Sequence, residues 1–111
     1  MSTYPYTHEK GSLLYQVENY KFRYKGILAA SIELIIVPGE RIGFNYEIEE
    51  NNQHWPELPS KYYKGSSNSQ EVYEALQMNF GGMFDTKEEA LQNAIYMIEG
   101  LLNKYKTADI S

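Results

Sequence analysis

In the stretch RIGFNYEIEE, Ile42, Phe44, Tyr46 and Ile48 alternate with Arg41, Asn45, Glu47 and Glu49. A period of two belongs to a strand with one buried face, whereas a helix repeats its buried face about every 3.6 residues. The two segments before this strand must fit against it. GILAASIELIIV is apolar, β-branched toward its end and closed by Pro38-Gly39, a turn signal. NYKFRYKG alternates Tyr20, Phe22 and Tyr24 with Lys21, Arg23 and Lys25.

A three-residue loop at Pro38–Glu40 sets Ile36 against Ile42, Leu34 against Phe44 and Ile32 against Tyr46. A loop of the same length around Gly26 sets Tyr24 against Leu28, Phe22 against Ala30 and Tyr20 against Ile32. Together these registers gather the large apolar residues of the meander on one face, leaving out Ile27, Ile35 and Val37. A two-residue loop at Lys25-Gly26 would turn Arg23 toward the core beside Leu28, because a one-residue slip flips a whole strand. The longer loop is therefore expected. Leu13, Tyr15 and Val17 fall on the opposite parity, which calls for a bulge near Glu18-Asn19 or for a separate strand.

Helical signals follow. Asn68 with Glu71 reads as a capping box, Val72, Leu76 and Phe80 share a face, and Gly81-Gly82 is a stop. This predicts a helix over 69–80. Met83-Phe84 is a candidate short fourth strand. Over 86–105, capped by Asp85 or Thr86, Glu88 and Glu89 occupy the first turn and Lys104 and Lys106 the end, which suits the macrodipole. Ala90, Leu91, Ala94, Ile95, Ile98, Leu101, Leu102 and Tyr105 form its core stripe. Strands followed by helices predict an α+β fold: an antiparallel β-meander of three to four strands packed on one face by two helices. With 111 residues the chain has room for one domain, read as 12–106 after an extended N-terminal arm at 1–11 that contains Pro5 and Gly11.

Chemical signatures are sparse. No cysteine is present, so disulfides, thiolate nucleophiles and sulfur-ligated metals are excluded. The two histidines, His8 and His54, lack metal-ligand spacing, and there is no phosphate loop or nucleophile elbow. Glu47, Glu49 and Glu50 read as ordinary surface charge. No catalytic residue, metal or cofactor is therefore expected. The longest apolar run is broken by Ser31 and Glu33, too short for a membrane span. The start carries no secretory pattern, and a soluble cytoplasmic protein is expected.

The loop at 51–68 concentrates Trp55, Tyr62 and Tyr63 beside His54 and two prolines. Trp and Tyr are enriched at interface hot spots, so these residues are the candidate surface for a protein partner. Trp55 tucked beneath the loop as a local core is the competing reading. The expected role is a small non-catalytic binding or regulatory protein, with a homodimer as a further option. Single-stranded nucleic acid is the alternative, through Lys21, Arg23, Lys25, Lys61 and Lys64. A net charge of −5 and the inward parity of Tyr20, Phe22 and Tyr24 weigh against it. A third option is a small anionic ligand, held among the loop aromatics by Lys61, Lys64 or Arg41.

GGMFDTKEEALQNAIYMIEGLL resembles the last strand and helix of the HicB-like antitoxins, through Phe84, Thr86, Glu88, Glu89, Ala90, Leu91 and Ala94. The resemblance implies a sheet packed by helices and a role in neutralising a partner toxin. It covers about a fifth of the chain and carries over no catalytic residue; the family's opening strands and Pro-Gly-Cys junction are not visible.

Overall fold

The alternating segments form strands β1 (Gln16–Tyr24), β2 (Ile27–Ile36) and β3 (Ile42–Ile48) in the computed structural model, which describes residues 15–50 and 52–107. The expected arm at 1–11 and Leu13 lie outside the described residues. A fourth strand, β4 (Lys64–Ser66), completes an antiparallel sheet of order β1-β2-β3-β4. Helices α1 (Gln70–Ala75) and α2 (Lys87–Tyr105) complete an α+β fold.

The β2–β3 register is the expected one, with Ile36 opposite Ile42, Leu34 opposite Phe44 and Ile32 opposite Tyr46. The β1–β2 hairpin departs from expectation near its turn. Lys25 and Gly26 both have positive φ, 51° and 83°, and form the two-residue loop. Such a turn matches the right-handed twist of a hairpin. Tyr24 then faces Ile27 and Arg23 faces Leu28, and a register shift between Phe22 and Arg23 restores the expected pairs Phe22–Ala30 and Tyr20–Ile32. Ala29 is the extra residue. Ala29 and Ala30 are both buried, while Arg23 and Leu28 are both exposed, so the shorter loop does not drive Arg23 into the core. The bulge expected near Glu18-Asn19 is absent, because Val17 pairs with Ile35 on the open face of the sheet and needs no reversal.

The fourth strand comes from the long loop. Met83-Phe84 contributes only a bridge at Phe84, whose backbone exchanges hydrogen bonds of 2.7 and 2.8 Å with Ile42. β4 instead pairs Gly65 with Tyr46. A Cβ at Gly65 would lie 2.5 Å from the Tyr46 ring, and Tyr46 is itself buried, so the ring has no room to yield. Replacing Gly65 with alanine is therefore expected to cost about 1–3 kcal/mol by overpacking. Urea unfolding followed by circular dichroism checks this; an unchanged midpoint would show that the contact is loose.

α1 is shorter than the expected 69–80. Gln77 adopts φ 57°, its N–H bonds to the Glu74 carbonyl, and the Met78 N–H bonds to the Tyr73 carbonyl at 2.8 Å. This is a Schellman stop with glutamine in the left-handed position. The expected capping box also fails. Ser69 is the N-cap, and its hydroxyl accepts from the Ser66 N–H instead of a helical one. α2 starts as expected, with Thr86 Oγ1 accepting from the Glu89 N–H at 3.1 Å. Its buried stripe is Ala90, Ala94, Met97, Ile98, Leu101 and Leu102, while Leu91, Ile95 and Tyr105 are only half-buried.

These inward residues meet Ile32, Leu34, Phe44, Tyr46 and Ile48 from the sheet in one apolar layer. Among the described residues no helix is long and apolar enough to cross a membrane.

Candidate functional site

The loop after β3 folds inward. Backbone bonds from Trp55 to the Asn52 carbonyl and from Leu58 to the Trp55 carbonyl wind it into consecutive turns. Trp55 is 0% exposed, its indole N–H donates to the Glu49 carbonyl at 3.3 Å, and its ring meets Tyr24 edge-on at 6.3 Å. Tyr62, in the 3₁₀ turn Ser60–Tyr62, is also buried and lies 6.5 Å from the Tyr105 ring. Tyr63 is half-buried and its carbonyl accepts from the Ile48 N–H. The His54 carbonyl accepts from the Thr107 N–H, and its imidazole tilts against Trp55. Trp55 and Tyr62, two of the four residues expected to greet a partner, thus close one end of the core.

The cations do not form a track. Lys21 donates to the Ser31 hydroxyl at 3.0 Å, Arg23 to the Gly26 carbonyl at 3.1 Å, and Lys25 lies over the Tyr24 ring. Lys61 pairs with Glu71 at 2.5 Å, which raises its pKa, and Arg41 pairs with Asp85 at 3.2 Å. Lys64 stands opposite Glu47 in the sheet. On the open face, Lys21, Ser31, Glu47 and Lys64 form one cross-strand row, and Asn19, Glu33, Asn45 and Ser66 the next. The Lys21–Ser31–Glu47 row is the expected one. Arg23 differs, standing against Leu28 where Ala29 and Glu49 were expected. A depression of about 390 Å³ crosses these rows. Its lining mixes charge, with Lys64 beside Glu33 and Glu47.

A second depression, also about 390 Å³, is lined by Phe84, Glu88, Glu89, Gln92, Asn93 and Tyr96. Its floor is held rigidly: the Phe84 ring stacks on Phe44 at 6.1 Å, and the Tyr73 hydroxyl donates to Asn93 Oδ1 at 2.7 Å. Phe80 stands beside it, edge-on to Tyr73 at 5.2 Å. Phe80 and Tyr96, 56% and 54% exposed, are the two most exposed large hydrophobic residues among those described. The early stop at Gln77 produces this arrangement, since it releases Phe80 from the helical face on which the sequence pattern placed it. Tyr96 is not marked as a site residue by any motif in the sequence. It falls off the α2 stripe, and that is the one signal the sequence offers. The acidic wall of Glu88 and Glu89 carries no ion pair among the described residues, and Lys87 turns away to Glu18 at 3.0 Å. The hydrogen bonds from Lys87 and Tyr20 hold the Glu18 carboxyl below its ordinary pKa.

No group of three or more His, Cys, Asp or Glu able to hold a metal occurs among the described residues. Comparison with protein families, curated proteins and solved structures finds nothing that matches the chain.

Proposed function

We propose that this chain is a non-catalytic binding domain that acts through a protein partner, seated on the groove lined by Phe84 and Tyr96 with Phe80 beside it. The observation that carries the reading is the exposure of Phe80 and Tyr96 around a floor fixed by hydrogen bonding and stacking. Exposed aromatic anchors on a preformed surface are how interface hot spots are built. The nucleic-acid alternative has less support. Tyr20 and Phe22 lie on the helix side of the sheet, and the open face mixes Lys21 and Lys64 with Glu33 and Glu47.

Affinity capture with the chain and with a Phe80→Ser/Tyr96→Ser variant tests the proposal. A stoichiometric protein is expected with the first and is lost with the second. Tyr96 is exposed and Phe80 gives up one edge-on contact with Tyr73, so the variant should lose about 1–2 kcal/mol and stay folded, which circular dichroism checks. Retention of nucleic acid by both forms, abolished by charge reversal at Lys21 and Arg23, would overturn the proposal in favour of the alternative.

A further inference from the structure

The sheet has two unlike edges. One edge is β4, only three residues long, which pairs with Asn45–Glu47 of β3; the rest of that side of β3 is met by the Tyr63 carbonyl at the Ile48 N–H and by Phe84 at Ile42. β1, nine residues long, is an edge strand. Among the described residues its backbone hydrogen bonds go only to β2. An edge strand leaves every second N–H and C=O pointing outward, a template for one more strand.

The layer beneath α2 is also unfinished on this side. Tyr20 is 36% exposed and Phe22 half-buried. The Lys87–Glu18 pair ties the first turn of α2 over β1. Leu91 and Ile95 follow Lys87 at helical spacing, and both are half-buried. On the opposite face of β1, Lys21 and Arg23 are exposed and have no carboxylate partner among the described residues.

We propose that the free edge of β1 takes an extended segment of a partner protein as a fifth strand, with apolar residues alternating with acidic ones. Successive side chains of an added strand point to opposite faces. One set completes the layer over Tyr20, Phe22, Leu91 and Ile95. The other set meets Lys21 and Arg23. A second copy of this chain suits the edge less well. Parallel in-register pairing, or antiparallel pairing centred on Phe22, brings like charges together, which destabilises a sheet. This surface is distinct from the groove on the other flank of α2.

The test uses the isotopically labelled full chain and two acetylated peptides, one alternating valine with glutamate and one alternating valine with lysine. The glutamate peptide is expected to slow amide exchange at alternate β1 residues by about tenfold when present at about ten times its Kd. It should also shift the resonances of Tyr20, Phe22 and Leu91, and the lysine peptide should do neither. The chain's net charge of −5 opposes this preference, so local cations must cause it. A Lys21→Glu/Arg23→Glu variant, shown by circular dichroism to be folded, should reverse the choice of peptide. Phe80→Ser/Tyr96→Ser should leave it unchanged, which separates this surface from the groove. Equal protection by both peptides, no protection by either, or the same protection by oligothymidylate would each overturn the proposal.

Discussion

Trp55→Ala is expected to destabilise the protein by about 3–5 kcal/mol, the range for truncating a fully buried large aromatic. Domains of this size are stable by only about 5–15 kcal/mol, so the variant should lie close to unfolding. The loss has two sources. One is the cavity left between Tyr24 and the 52–58 turns, where the indole is wholly enclosed. The other is the Glu49 carbonyl, which gives up the indole N–H. Trp55→Phe keeps most of the volume and should cost clearly less. Trp55 is the only tryptophan, so its own fluorescence cannot follow its replacement; urea unfolding should be read by far-ultraviolet circular dichroism. A cost below about 1 kcal/mol for the alanine variant would show that the loop is an appendage and not part of the core.

Stability should also fall steeply in alkali. Burial pushes the Tyr46 phenol far above its ordinary 10.0, and its buried hydroxyl has no hydrogen-bond partner among the described residues. Burial raises Tyr73 and Tyr24 as well, the latter helped by Glu99. Above about pH 10 the unfolded chain releases phenolic protons that the folded chain retains. The folded state then binds more protons, so stability is intact below that pH and declines as pH rises through it. Each phenol held protonated contributes a slope of about 1.4 kcal/mol per pH unit. Tyr46→Phe should remove one such contribution. At neutral pH it should match or exceed the parent in stability, since it deletes an unsatisfied polar group. Denaturant midpoints for the two proteins from pH 8 to 11 supply the comparison, and parallel curves would refute it.

The parts of the fold that could be read in advance are those where only one arrangement buries the apolar residues. Ile42, Phe44, Tyr46 and Ile48 share a face with Ile32, Leu34 and Ile36 only in registers of one parity, and the turn at Pro38-Gly39 selects the one found. The β1–β2 turn was not legible because Ala29 is small enough to fit either side, so the pattern does not say where the extra residue goes. The end of α1 was hidden for a similar reason. Left-handed backbone is expected at glycine, and Gln77 adopts it four residues before Gly81. β4 has no alternation to detect. It pairs because Gly65 admits the Tyr46 ring.

The same logic explains the sites. Trp55 and Tyr62 sit in an aperiodic, proline-bearing loop, where sequence offers no face to distinguish buried from displayed. Phe80 was assigned to a helical stripe that stops short of it. Tyr96 lies off the apolar stripe of α2, where periodicity says nothing of its surroundings, and only the structure sets it beside a groove.

The bulge at Ala29 separates two quantities that are joined in most hairpins: how many residues make the turn, and which side chains face inward. Elsewhere in the meander, inserting or deleting one residue at the turn would invert the strand beyond it. Here the correction sits inside β2, at two adjacent buried alanines. One residue added at this turn and Ala29 removed would together keep the Phe22–Ala30 pair and all pairs beyond it, at the cost of one buried methyl group. Length variation in this hairpin should therefore appear as paired changes, one at Lys25-Gly26 and one at Ala29-Ala30.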